Sequence, residues 1–209
     1  MKKKVFAFRF SSPEEAAEFL DYVSRLIGNL AAEVRGSSVK IVVMAPPGEA
    51  ESDFARIREV LRQWRMSRHF PRKGLYRHSL QMILSAASLK VSIPIAALVD
   101  SLKLSGFKAR LDKVYLVTDA RFDKVVEVAS NFSAKYLEAL RLPATPILKR
   151  LLAVLATVLD TSIDESLKKL LELGLARLDE ESGRFLLTVN YTSALERLKD
   201  SMRSEREGL

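Results

Sequence analysis

Residues 107–118, FKARLDKVYLVT, and residues 175–189, LARLDEESGRFLLTV, share the tetrapeptide ARLD, each time just after a glycine that closes a helix-like pattern. Both stretches alternate as strands do and have turn residues that let the chain double back as a hairpin. Around the first, apolar spacing predicts helices over 76–88 and 93–105 before the hairpin and a long helix over 120–141 after it. Around the second it predicts helices over 145–159 and 163–173, then one over 192–203. Gly106 and Gly174 stop the second helix of each set, and Pro143 and Pro146 mark the joint between the sets. The matched order makes internal duplication the reading, with modules at 71–142 and 143–209.

Two helices, a hairpin and a closing helix resemble a winged-helix module, each copy one short helix lighter than the full version. Residues 1–70 follow another plan. KVFAFRF (4–10) alternates with period two and places Phe6, Phe8 and Phe10 on one face of a strand. A helix follows, with Ser12 at its N-cap, Pro13 at the first helical position and Glu15 completing a capping box. Its buried stripe is expected to be Phe19, Val23, Leu26, Ile27 and Leu30. A hairpin turning at Gly36-Ser37-Ser38 leads to a helix from about Glu51 to His69, with Phe54, Ile57, Leu61 and Trp64 on its apolar side. The expected fold class is α+β: an N-terminal βαββα domain (1–70) followed by two tandem winged-helix-like (helix-helix-hairpin-helix) modules.

The totals bound the function. The chain has 209 residues, 48% hydrophobic and 29% charged, which is enough for real cores in a globular protein. The longest apolar run, LLAVLATVL (151–159), reaches about half of the ~20 residues a membrane helix needs. Arg9 interrupts the apolar part of MKKKVFAFRF, so a signal peptide is not expected and the reading is cytoplasmic, without a membrane partner. With no cysteine there is no disulfide, thiolate nucleophile or Cys-ligated zinc. Scarce Asn and Gln beside abundant Arg, Lys and Glu fit a thermophilic source.

Net charge is +8, and it is concentrated. Of 34 basic and 26 acidic residues, eight and one respectively fall between Arg56 and Arg77, the one anion being Glu59; the rest of the chain is nearly balanced. Arg58, Arg62 and Arg65 recur at spacings of four and three on one side of a helix, beside its apolar stripe. Arg68 and His69 end that helix, and Arg72, Lys73 and Arg77 continue the charge. A guanidinium fork matches phosphate oxygens, so these eight residues are the candidate nucleic-acid contacts. Trp64, Phe70 and Tyr76 interleave with them, although Trp64 is in register with the core stripe. Plain solvated surface, or pairing with an acidic face such as DEESG (179–183), are the competing readings of the cluster.

Neither hairpin module looks like a groove reader. Helix 93–105 balances Lys103 against Asp100, and helix 163–173 sets Lys168 and Lys169 against Asp164, Glu165 and Glu172. These modules are expected to make protein contacts. Phosphate-loop, dinucleotide, zinc-protease and serine-elbow motifs are absent. His69 and His78 stand nine apart across a proline, with cations between, which suits neither a metal nor a raised pKa. No enzymatic activity, cofactor or metal is expected.

FRFSSPEEAAEFL, IPIAALVDSLKLSGFKARL and the long run PATPILKRLLAVLATVLDTSIDESLKKLLELGLARLDEESGRF together resemble an uncharacterised archaeal protein family of about this length, a domain of unknown function. That resemblance implies archaeal origin and fold, and carries no activity. Residues 4–64 also look like the small dimer-forming subunit of the tRNA-modifying KEOPS complex, which has the same strand-and-helix opening. It implies RNA and a homodimer. The expectation is a non-enzymatic RNA-binding protein, ribosome- or tRNA-associated; the alternatives are a winged-helix DNA-binding regulator and an assembly factor without nucleic acid.

Overall fold

Strand β1 (Lys2–Arg9) opens the chain, followed by α1 (Pro13–Leu26), β2 (Leu30–Arg35), β3 (Ser38–Ala45) and α2 (Glu49–Arg68). The computed structural model describes residues 2–26, 30–46, 49–68 and 74–207. It divides into two compact units, Met1–His69 and Phe70–Leu209.

In the first unit β3 is the central strand, antiparallel to β1 on one side and β2 on the other. Both helices pack on one face of this sheet. Phe6, Phe10, Val39, Ile41 and Val43 point toward them and are buried with Phe19, Val23, Ile57, Leu61 and Trp64. The alternation in KVFAFRF therefore places its phenylalanines as expected. Ser12 caps α1, its Oγ accepting from Glu15 N at 3.2 Å, while the Glu15 carboxylate accepts from Ser11 N at 2.8 Å. The capping box is thus shifted by one residue at its return bond. Helix α1 was expected to run through Leu30; it stops at Leu26, and Leu30 instead opens β2, opposite Val43. Ile27 and the Leu26 side chain lie outside the described residues.

The second unit runs β4 (Tyr76–Ser79), α3 (Leu80–Ala86), α4 (Ile95–Leu104), β5 (Ala109–Asp112), β6 (Tyr115–Thr118) and α5 (Phe122–Ala139). It continues through α6 (Pro146–Leu159), α7 (Ile163–Glu172), β7 (Ala176–Asp179), β8 (Arg184–Leu187) and α8 (Tyr191–Glu207). The helix expected over 76–88 is corrected: its first four residues form β4, which pairs antiparallel with β6, and only Leu80–Ala86 is helical. The backbone of Tyr76–Ser79 finds its hydrogen-bond partners in a strand far along the chain, and that overrides local helix preference.

Both glycine stops are Schellman caps. Gly106 N donates to Lys103 O and Phe107 N to Leu102 O; Gly174 N donates to Leu171 O and Leu175 N to Leu170 O. Both glycines have positive φ, +95° and +66°, a region costly for side chains with a Cβ. Helix α6 explains the longest apolar run. Leu148, Leu151, Leu152, Ala153, Val154, Leu155 and Ala156 are all fully buried, so this helix is apolar all round because it is central. Its core takes in Ala97, Leu104 and Phe132 from one half and Leu167, Leu170 and Leu198 from the other. The two halves on either side of Pro143 therefore share one core. Among the described residues the chain is α+β, with eight helices and small antiparallel sheets, and no helix is long and apolar enough to cross a membrane.

Candidate nucleic-acid interface

Helix α2 positions the first three predicted residues. Ile57, Val60, Leu61 and Trp64 turn inward, and Arg58, Arg62 and Arg65 form an exposed stripe beside them. Trp64 is 3% exposed and meets the Phe19 and Tyr22 rings, each at 5.6 Å, so it is a core residue. Burial pushes the Tyr22 hydroxyl up to about 12.

The three arginines differ in what they touch. Arg62 lays its fork on Glu59, with Nε and Nη2 at 2.8 and 2.6 Å from the carboxylate oxygens. Gln63 Nε2 donates to the same carboxylate at 3.0 Å. These hydrogen bonds, Arg62 first, hold the Glu59 carboxyl below its ordinary value. Arg58 stands 5.3 Å from the centroid of Phe54, and Lys4 is at 5.3 Å from the same ring. Arg65 is exposed and has no ion pair with any described residue. The one anion of the cluster is thus taken by Arg62, and Arg58 and Arg65 keep their charge toward solvent.

Of the remaining predicted residues, the side chain of Arg77 is described. Arg68 ends α2, and its side chain lies outside the described residues, as do His69, Phe70, Arg72 and Lys73. Arg77 is on β4 in the second unit. Its guanidinium lies 4.1 Å from the Tyr115 ring centroid, and Nη2 is 3.2 Å from Asp112 Oδ2. Arg77 thereby links all three strands of its sheet, since Tyr115 is on β6 and Asp112 on β5. This pairing holds an edge strand in place.

His78 points to the other face of that strand and is fully buried. It stacks on Tyr76 and meets Phe122 at 5.6 Å, and Nε2 lies 2.9 Å from Ala120 O. A neutral imidazole donates there. Nδ1 has no hydrogen-bond partner among the described residues. Burial, partly offset by the Ala120 carbonyl and Asp123, lowers its pKa below 6.5. A neutral, enclosed ring is a core histidine and contributes no charge to the cluster.

Charge counting along the chain misses a second basic surface. The uncovered face of the first unit's sheet presents Lys3, Arg9, Arg35 and Lys40, spread over three strands. The signal was the same period-two alternation that identified the phenylalanine face, followed to its other side.

A family model described as "Uncharacterized protein conserved in archaea (DUF2067)" matches residues 8–196, which include both sheets of ARLD strands and the whole of α2. The chain is also similar to the uncharacterized protein MJ0388 of Methanocaldococcus jannaschii, 22% identical over 210 residues that cover 98% of this chain and 97% of that one. With a family model matching residues 8–196, the chain belongs to this family of uncharacterized proteins conserved in archaea.

Proposed function

We propose that this chain is a non-enzymatic, cytoplasmic RNA-binding protein, associated with tRNA or the ribosome, that holds phosphates through the outward stripe of α2 and the basic connector after it. The observation that carries the reading is the imbalance on that stripe. Three arginines face solvent beside a packed apolar side, and the single carboxylate among them, Glu59, occupies only Arg62. Arg58 and Arg65, exposed and without an ion pair to any described residue, suit a polyanion. The tRNA link and a homodimer rest on the KEOPS-like opening of the chain and belong to the same proposal.

We read the halves of the second unit as winged-helix-like modules used for protein contacts. Supporting this, β4 pairs with the second strand of its hairpin, and Leu171, Leu173 and Leu178 are exposed around α7 and β7. The alternative, DNA binding through α7, depends on Lys168 and Lys169; Lys168 already stands 4.0 Å from Glu172.

Fluorescence anisotropy with labelled single-stranded RNA and duplex DNA separates the readings. Neutralising about five phosphates gives a slope of log K against log[salt] near −3.5, or on the order of 100-fold between 50 and 200 mM salt. Arg58→Glu/Arg65→Glu is expected to weaken RNA retention at least tenfold, with Lys168→Glu/Lys169→Glu leaving it intact. The reverse pattern, with duplex preferred, assigns the activity to the second unit.

A further inference from the structure

The uncovered face of the first unit's sheet is ordered in rows by its register. Lys3 lies beside Met44; Val5, Val42 and Ala31 form the next row; Ala7, Lys40 and Glu33 the next; and Arg9, Ser38 and Arg35 the last. Val5 and Met44 are 50% and 54% exposed, so the middle of this face is open aliphatic surface. From Lys3 to Arg9 the face is about 20 Å long, and its three strands make it about 10 Å wide. Four cations stand on it against one carboxylate, and Arg35 Nε is already 2.7 Å from Glu33 Oε1. Lys3, Arg9 and Lys40 have no ion pair with any described residue.

From this juxtaposition we propose that the open sheet face is a second RNA-binding surface, taking a single strand whose phosphates meet Lys3, Lys40 and Arg9 while its sugars and bases lie on Val5, Val42 and Met44. The proposal rests on reading this chain as an RNA binder, but on residues separate from α2. Charge decides the occupant. A second copy docked face to face would bring together two faces that each carry four cations against one carboxylate, and like charges opposed at close range are destabilising. A flat sheet also has no projecting element to enter a duplex groove, whereas single strands lie across sheets. No aromatic residue stands on this face, so base stacking is weak. Binding here is backbone-driven, tolerant of sequence and strongly salt-dependent.

The test uses the full chain and fluorescein-labelled 20-nucleotide U and A strands, with anisotropy read across a salt series. Arg9→Gln/Lys40→Gln is expected to weaken both strands about tenfold at low salt and to reduce the log–log slope by about 1.4, or ~0.7 for each lost phosphate contact. These positions are exposed, so the melting temperature should be unchanged; it serves as the folding control. Unchanged RNA affinity in that variant, with Arg58→Gln/Arg65→Gln still weakening it, overturns this surface and leaves the α2 interface standing. The opposite pattern keeps the sheet surface and removes α2. A dimer in light scattering that Val5→Lys/Met44→Lys dissociates with RNA affinity unchanged overturns the proposal in favour of self-association. Tight binding to phosphatidylglycerol vesicles, lost in Arg9→Gln/Lys40→Gln while RNA binding persists, overturns it in favour of a lipid surface.

Discussion

The two halves of the second unit share ARLD, a Schellman stop and the same in-out pattern along their first hairpin strand, yet one sheet has three strands and the other two. In the first half Tyr76–Ser79 forms a full ladder with β6. In the second, the segment leading into α6 makes one parallel bridge, Ala144 to Phe185, with Thr145 N on Phe185 O and Phe185 N on Pro143 O. Pro143 and Pro146 lack the N–H groups a longer ladder needs. The two halves thus differ both in these prolines and in the direction of the added pairing, antiparallel in the first and parallel in the second. Only the first half has a third strand and, with it, the Arg77–Asp112–Tyr115 link and the buried His78.

The most forceful way to break the comparison is through the core that both halves share. Leu152 is fully buried in α6, and Leu152→Ala should cost about 3 kcal/mol. In urea the amides of α4 and α7 should lose exchange protection together, in one transition of the second unit. Loss of protection in α4 and α7 at separate urea concentrations would mean that the two halves fold independently.

His78 tests what the extra strand contributed. Its folded pKa lies below 6.5, so as pH falls through 6.5 the unfolded chain takes the proton first. Stability from this group is complete above pH 6.5 and declines below it, by up to about 1.4 kcal/mol per pH unit, until the folded pKa is reached. Denaturant midpoints between pH 7 and 5 should show that slope in the parent chain and a flatter one in His78→Gln. The carboxylates whose pKa is lowered, Glu14, Glu59, Glu165 and Asp179, remain ionised across this window in the folded chain.

The smallest effects sharpen the contrast between the turns. The first hairpin turns through Lys113 at φ +54°, the second through a longer loop with Gly183 at +64°. Lys113→Gly should stabilise by about 0.5 kcal/mol by relieving a left-handed side chain. Gly174→Ala, at φ +66°, should instead cost about 1 kcal/mol. Thermal melts of the two variants should therefore move in opposite directions.

Much of the fold was legible because it depends on neighbours in sequence. Pro13, Ser12 and Glu15 start α1, Gly106 and Gly174 end helices, and the apolar run 151–159 becomes the central helix. Tyr76–Ser79 was not legible, since its partner strand begins at Tyr115. Within the candidate interface, the spacing of Arg58, Arg62 and Arg65 was readable, and the Glu59–Arg62 pair stood three residues apart on the same helix for any reader who weighed it. The engagement of Arg77 by Asp112 required the register of three strands.

By itself the sequence determined most helices and hairpins, the glycine helix stops, the ARLD repeat and the place where positive charge accumulates, because backbone preference and side-chain periodicity act over a few residues. Only the tertiary structure decided which cations are bound by carboxylates or rings and which remain open, and that the sheet of the first unit leaves a basic face uncovered. Those outcomes depend on strand register and on groups distant along the chain, and a charge acquires its partner only once folding has brought them to within hydrogen-bond range.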